Sequence, residues 1–169
     1  MSALQIPELS SGFRNAMRRL ATTVSVVTCA DGDGWYGMTA TAVTSVCTEP
    51  PALLVCINTA TDFYRPLLAS GNFCINLLRS PHVRVSQAFG GTLRGAERFE
   101  RGDWTLARGL PCLIDAQANL FCKTEVITHF GTHAVFIGRV HEVWFSKDVA
   151  PLVYQDGHYV ATSQLLDAW

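Results

Sequence analysis

TTVSVVTCADGDGWYGMTATAVTSVC, residues 22–47, carries the strongest strand and turn signals in the chain. Residues 22–30 are rich in β-branched side chains, the run breaks at Asp31-Gly32-Asp33-Gly34, and residues 39–47 resume it. That pattern predicts a β-hairpin, two strands around a tight turn. The same stretch holds a decoy, because Gly32-Asp33-Gly34-Trp35-Tyr36-Gly37 spells GxGxxG. In dinucleotide-binding folds those glycines lead into a helix whose N-terminal amides hold a pyrophosphate. Here β-branched residues follow instead, and Asp31 and Asp33 would repel the phosphates, so the hairpin turn is the better account.

Working outward on the N-terminal side, Phe13, Ala16, Met17, Leu20 and Ala21 recur at three- and four-residue spacing. This predicts an amphipathic helix from Gly12 onward, with Ser10 or Ser11 as its cap and residues 1–11 as a flexible N-terminal segment. On the other side, Pro50-Pro51 punctuates before an apolar strand at 52–57 (ALLVCI), a short helical turn ends near Gly71, and a strand follows at 73–78. Ser80-Pro81 opens and Gly90-Gly91 closes a further short helix. Residues 92–108 read as a polar connection rich in arginine and glycine, and residues 116–128 and 134–145 as strands with Gly131 and Thr132 at their turn. Many strands and few short helices predict a mainly β, antiparallel barrel, since closure removes exposed edges.

At 169 residues and 18.5 kDa the chain suits one domain, 1–169. Apolar residues make up 49% and charged residues 16%, so the chain buries a large core and predicts more apolar surface than a monomer needs. A homodimer is therefore expected. Thirteen basic against fourteen acidic side chains leave a formal charge of −1, without the basic excess that neutralises nucleic-acid phosphates. The N-terminal MSALQIPELSS offers neither a basic nor an apolar targeting region, and the longest apolar run is only strand length, so neither a membrane nor secretion is expected and the location is cytoplasmic. Cys29, Cys47, Cys56, Cys74, Cys112 and Cys122 lie in apolar segments with no CxxC pair. They read as reduced thiols, and no metal site is expected. Eleven of the thirteen basic residues are arginine, the side chain suited to phosphates and carboxylates, although surface pairing is its more frequent use.

Several segments together carry a family resemblance: FRNAMRRLATTVSVVT (13–28), GMTATAVTSV (37–46), PALLVCIN (51–58), SGNFCINL (70–77), Phe89-Gly90-Gly91, and GTHAVFIGRV (131–140). In this order they resemble the flavin reductases that serve two-component flavin-dependent monooxygenases. The resemblance implies a split β-barrel homodimer that uses NADH or NADPH to reduce FMN or FAD, which passes to a separate oxygenase. Three positions depart from the family pattern. Thr23 stands in place of a usual glycine, Thr132 in place of the aspartate of a GDH motif, and Gln155 in place of a frequent histidine. The last two bear on nicotinamide affinity and on the choice between NADH and NADPH.

Hydride transfer between two cofactors asks little of acid or base groups, so no acid or base catalyst is expected; the protein supplies geometry. A flavin needs hydroxyl and amide donors along its pyrimidine edge and an apolar floor, and Met38, Thr39, Ala40, Thr41 and Ser45 offer that mixture. On chemistry alone a threonine-rich strand is simply a strand; the resemblance makes it a flavin segment. Cys56 falls in the same set, while Asn58 and Thr61, at a strand end, suit phosphate or ribityl oxygens, with Arg65 adding charge. Both also fit an ordinary Asx-type cap. Phe89 would cover the ring, or end its helix against the core. The resemblance places His133 and Tyr154 against the nicotinamide. The competing functions are a non-catalytic flavin- or haem-binding split barrel and an oxidase of the pyridoxamine-phosphate type. The oxidase would want arginines near the C-terminus, and this chain has none after Arg139.

Overall fold

The computed structural model describes residues 6–32 and 34–164; residues 1–5 of the expected N-terminal segment, and Asp33 of the expected turn, lie outside the described residues. The 22–47 stretch forms its hairpin from β2 (Ser25–Asp31) and β3 (Gly34–Ala40), with Asp31 opposite Gly34 and Ser25 opposite Ala40. Residues 39–47 are not one strand, however. β3 ends at Ala40, the chain turns at Thr41 and Ala42, and β4 (Val43–Thr48) begins a separate strand. With β5 (Pro51–Asn58), β6 (Asn72–Leu77), β9 (Ala118–Phe130) and β10 (His133–Phe145), these strands build one antiparallel sheet in the order β3-β2-β6-β9-β10-β5-β4. Its two edges are thus β3 and β4, which only Thr41 and Ala42 separate along the chain. Three Cα steps span at most about 11 Å, so the sheet has to curl until its edges nearly meet. The barrel is closed at this corner by the chain itself, while no ladder joins the two edges.

The remaining elements cover the barrel. α1 (Ile6–Met17) starts before the expected Gly12, so the segment expected to be flexible is helical from Ile6. Leu9 extends the apolar spacing of Phe13 and Met17 back by one turn, and Ser10 and Ser11 fall inside the helix. The Ser11 hydroxyl donates to the Glu8 carbonyl at 3.0 Å instead of capping. α2 (Tyr64–Ser70) ends at Gly71, whose φ of 64° is the left-handed cap conformation. A 3-10 turn at Ser80–His82 runs into α3 (Val83–Gln87) and a π turn at Ala88–Thr92, the helix expected from Ser80 to Gly91. The connection 92–108 contains more order than its polarity suggests, with a 3-10 segment at Gly95–Glu100 and the strand β7 (Trp104–Ala107) paired to β8 (Leu110–Leu113). A small third sheet joins β1 (Thr22–Thr23), β11 (Val153–Gln155) and β12 (His158–Val160).

Among the described residues, two large apolar clusters hold these layers, with a smaller one at Cys74, Leu110, Cys112 and Phe121. Val27, Val55, Ile57, Phe63, Leu67, Phe73, Ile75 and Phe136 fill the barrel, while Val24, Val26, Leu78, Val85, Phe89, Leu113 and Leu152 pack between the barrel and its helical cover. Val26 and Val27 point to opposite faces of β2 and are both completely buried, which is why this strand reads as a continuous apolar run. Between the clusters lies a buried polar hub at Asn76. Its amide nitrogen donates to the Val26 carbonyl at 2.9 Å and the Thr28 hydroxyl at 3.1 Å. Its oxygen accepts from the Leu113 backbone at 2.9 Å and from Asn119 at 2.8 Å, so one side chain ties β2, β6, β8 and β9 together.

Candidate active site

The hydrophobic alternation of β5 determines which of its residues can meet a ligand. Leu53, Val55 and Ile57 enter the core, leaving Leu54, Cys56 and Asn58 half-buried on the outer face. A groove of about 710 Å³ opens over that face. Its floor is Leu54 and Cys56, one end is the corner Thr41-Ala42-Val43-Thr44, and the opposite walls are α1 and the turn from Tyr154 to Gly157. Phe13, Met17 and Leu20 contribute the apolar wall and are 62%, 47% and 52% exposed, a cost that a bound apolar ligand or a second protein surface would remove.

Of the expected flavin residues, Thr41 and Cys56 line this groove, and Thr41 makes no side-chain hydrogen bond among the described residues. Ser45 lies further along the exposed β4, beside the adjoining apolar hollow. Met38 packs at the margin of the barrel core and Ala40 is buried in it, so these two can offer backbone groups more readily than side chains. The Thr39 hydroxyl donates to the Ser86 carbonyl at 2.7 Å, pinning β3 to α3, which leaves only its acceptor lone pair for a ligand.

Asn58 and Thr61 form the Asx-type turn that the sequence also allows. The Ala60 amide donates to Asn58 Oδ1 at 3.0 Å and the Thr61 hydroxyl donates to the Asn58 carbonyl at 2.8 Å. The two Nδ2 protons of Asn58 remain unused among the described residues. Phe89 is 2% exposed; its ring lies 4.9 Å from Phe99 and 5.1 Å from Trp104, and a side chain at Gly37 would meet it at 2.7 Å. In this arrangement it braces β3 from behind and presents no surface to the groove. Arg65 is exposed on α2.

Of the expected nicotinamide residues, Tyr154 lines the groove, while His133 lies outside its lining, further along the same sheet surface. His133 is exposed at the start of β10, and the ladder pairs it directly with Asn58, as it pairs Val135 with Cys56. Directly opposed residues share one face of a sheet, so His133, Asn58, Val135 and Cys56 lie on the same outer surface. The Thr132 hydroxyl is 2.9 Å from His133 Nδ1 and the Thr132 carbonyl accepts from both the amide (3.0 Å) and the hydroxyl (3.2 Å) of Thr59. Thr132 thereby fixes the imidazole and locks the turn onto β5. Tyr154, 37% exposed, lines the groove with its ring 5.2 Å from Tyr159.

Sequence reasoning missed α1 and the Tyr154–Gly157 turn as groove walls. They are joined by a clasp: the Asp156 amide donates to the Arg18 carbonyl at 2.7 Å, Arg18 Nε lies 3.5 Å from the Asp156 carboxylate, and the Gln155 side chain donates to the Arg19 carbonyl at 3.1 Å. The departure at Gln155 thus has a structural use, since its amide reaches the last carbonyls after the helix. All six cysteines are free. Burial pushes the Cys29 and Cys122 thiols up to about 12 and raises Cys74 and Cys112 as well. No cluster of metal-ligating side chains occurs among the described residues.

An antiparallel barrel left open between its two edge strands, with a groove on its outer β5 face, defines the class to which the protein belongs. The chain belongs to the flavin reductase-like domain family, whose pattern it matches over residues 17–163. It is 41% identical over 158 residues to the reductase component of an FADH2-dependent resorcinol hydroxylase from a Rhizobium species, covering 92% of this chain and 88% of that protein. It is 38% identical over 148 residues to the FMN reductase (NADH) RutF of Variovorax paradoxus, covering 87% and 82%. Among solved structures, it superposes on the flavin reductase PheA2 with a TM-score of 0.83 at 30% identity, covering 91% of this chain and 98% of that one. For BorF, the flavin reductase component of a bacterial two-component tryptophan halogenase, the TM-score is 0.84 at 28% identity, with 92% and 99% covered. The fold is the split barrel of these reductases.

Proposed function

We propose that the β5 groove holds the ring of FMN or FAD, and that the nicotinamide of NADH or NADPH is placed by His133 and Tyr154. The chain is an NAD(P)H-dependent flavin reductase that supplies reduced flavin to a separate monooxygenase. The observation that carries the site is the β5–β10 register, which puts Cys56 and Asn58 on one surface with His133. The donor set fits a flavin: a free hydroxyl at Thr41 and apolar faces from Leu54, Phe13 and Met17 in the groove, with the unused amide protons of Asn58 just past its floor at the end of β5 and the Ser45 hydroxyl in the adjoining hollow. The two cofactors supply the hydride chemistry between them. The chain's own share is to bind, orient and exclude water. A non-catalytic flavin- or haem-binding module is not favoured, because relatives covering about nine-tenths of the chain are reductases.

The direct test follows NADH and NADPH oxidation while FMN or FAD is added to dialysed protein. A hyperbolic dependence on added flavin is expected, since a reductase that hands its product on has to release it. Protein that stays fully yellow and ignores added flavin would refute delivery.

His133→Ala is expected to raise the nicotinamide KM roughly fivefold, the value of a hydrogen bond of about 1 kcal/mol, and to slow single-turnover reduction. Flavin affinity should hold, because the groove is untouched. Unchanged reduction kinetics would remove His133 from the site.

The exposed Leu9 on α1, together with the exposed strand β4 and its Val46, supports a homodimer. Light scattering at micromolar concentration should report twice the 18.5 kDa chain mass; a particle of single-chain mass would rule the dimer out. Among the described residues no helix is long and apolar enough to cross a membrane. The free thiols support a cytoplasmic location.

A further inference from the structure

Among the described residues, three charged side chains line the groove: Arg14, Arg18 and Asp156. Arg18 and Asp156 are paired in the clasp, with a second contact from Arg18 Nη2 to the Asp156 carbonyl at 3.3 Å. Arg14 lies in the last turn of α1, and the Arg18 amide, just past the helix, donates to its carbonyl at 3.0 Å, so the two side chains leave the same side of the chain. Its guanidinium makes no hydrogen bond or ion pair among the described residues, so the groove carries one uncompensated positive charge. A flavin ring alone gives that charge nothing to do, since the ring is served by the apolar wall and by the hydroxyls of the corner. The anionic groups that flavin nucleotides and nicotinamide dinucleotides share are phosphates, and a guanidinium fork matches a phosphate with two parallel hydrogen bonds.

We infer that Arg14 is a phosphate-binding residue of the groove, a reading that rests on the flavin-reductase assignment of that groove. The clasp is what makes the position specific. The backbone of Arg18, the carboxylate of Asp156 and the amide of Gln155 fix the C-terminal end of α1 against the Tyr154–Gly157 turn, so Arg14 projects from a held helix. Arg18 is already spent on that hold. Arg14 is therefore the one guanidinium lining the groove that is free to follow the ligand, and its partner is a phosphate of either the flavin nucleotide or the dinucleotide.

Equilibrium titrations on Arg14→Ala, Arg14→Lys and Arg84→Ala separate these sources and need no turnover. Flavin fluorescence follows riboflavin, FMN and FAD, and calorimetry follows NAD+ and NADP+. Arg84, exposed on α3 and outside the groove, controls for the loss of one charge. The expected result is that Arg14→Ala weakens a phosphate-bearing ligand about tenfold or more, the effect of a charge-assisted hydrogen bond, while riboflavin stays within twofold. Lysine should restore much of the loss. Weakening of FMN and FAD assigns the flavin phosphate. Weakening of NAD+ and NADP+ together assigns the dinucleotide pyrophosphate, and of NADP+ alone its 2′-phosphate. All ligands unchanged, riboflavin weakened in parallel with FMN, or an equal loss in Arg84→Ala would overturn the inference. Failure of the parent protein to bind any flavin would instead overturn the functional reading beneath it.

Discussion

Asn76→Ala should melt about 12 °C below the parent chain in a thermal scan. Removing this amide strands the Leu113 amide in a dry interior and costs the Val26 carbonyl, Asn119 and Thr28 a partner each. An orphaned buried polar group costs roughly 1–3 kcal/mol, so the total is on the order of 4 kcal/mol, and a domain of this size loses about 2–4 °C per kcal/mol. Asn119→Ala empties one corner of the same hub and should cost about half as much. Because the two residues share a bond, the double variant should fall short of the sum. A drop below about 3 °C for Asn76→Ala would show that water or a shifted backbone replaces the hub.

The second large effect should come from Cys56→Trp. Cys56 lies on the groove floor and points away from the core, so an indole there has room outside the barrel but takes the volume assigned to the flavin ring. The flavin Kd should rise about 100-fold, equivalent to about 2.7 kcal/mol, and NADH oxidation should fall with it. Melting temperature should change by less than about 2 °C, because core packing is untouched. Cys56→Ala should bind flavin almost normally, which separates occlusion from loss of the thiol. Normal flavin affinity in the tryptophan variant would move the flavin off the β5 face.

The hairpin of β2 and β3 was legible because Asp31, Gly32 and Gly34 mark a turn between β-branched runs, a local signal. The corner at Thr41 and Ala42 was not, since it carries no glycine or proline. It exists only because β3 and β4 end up as opposite edges of a sheet whose order is set by long-range pairing. β8 was hidden by Pro111 and by the polar connection preceding it, and β11 and β12 by their length of three residues each. In the site, residue types were readable while their commitments were not. Thr39 and Thr61 look alike as hydroxyl donors in sequence, yet each spends its proton on a backbone carbonyl. The use of α1 as a wall depends on a clasp between residues separated by more than 130 positions, beyond the reach of any local pattern.

The buried thiols carry a consequence for endurance. Reduced flavin that meets oxygen before it meets its oxygenase yields hydrogen peroxide, so a protein of this kind works beside a source of oxidant. Peroxide attacks the thiolate, and burial that pushes a thiol up to about 12 keeps it protonated at neutral pH. Cys29 and Cys122, with Cys74 and Cys112 raised and buried beside them, are therefore chemically quiet on the timescale of catalysis. Oxidative wear is directed to Cys47 on exposed β4 and to Cys56 on the groove floor. The barrel should thus outlast its binding surface, losing flavin affinity before it loses its fold.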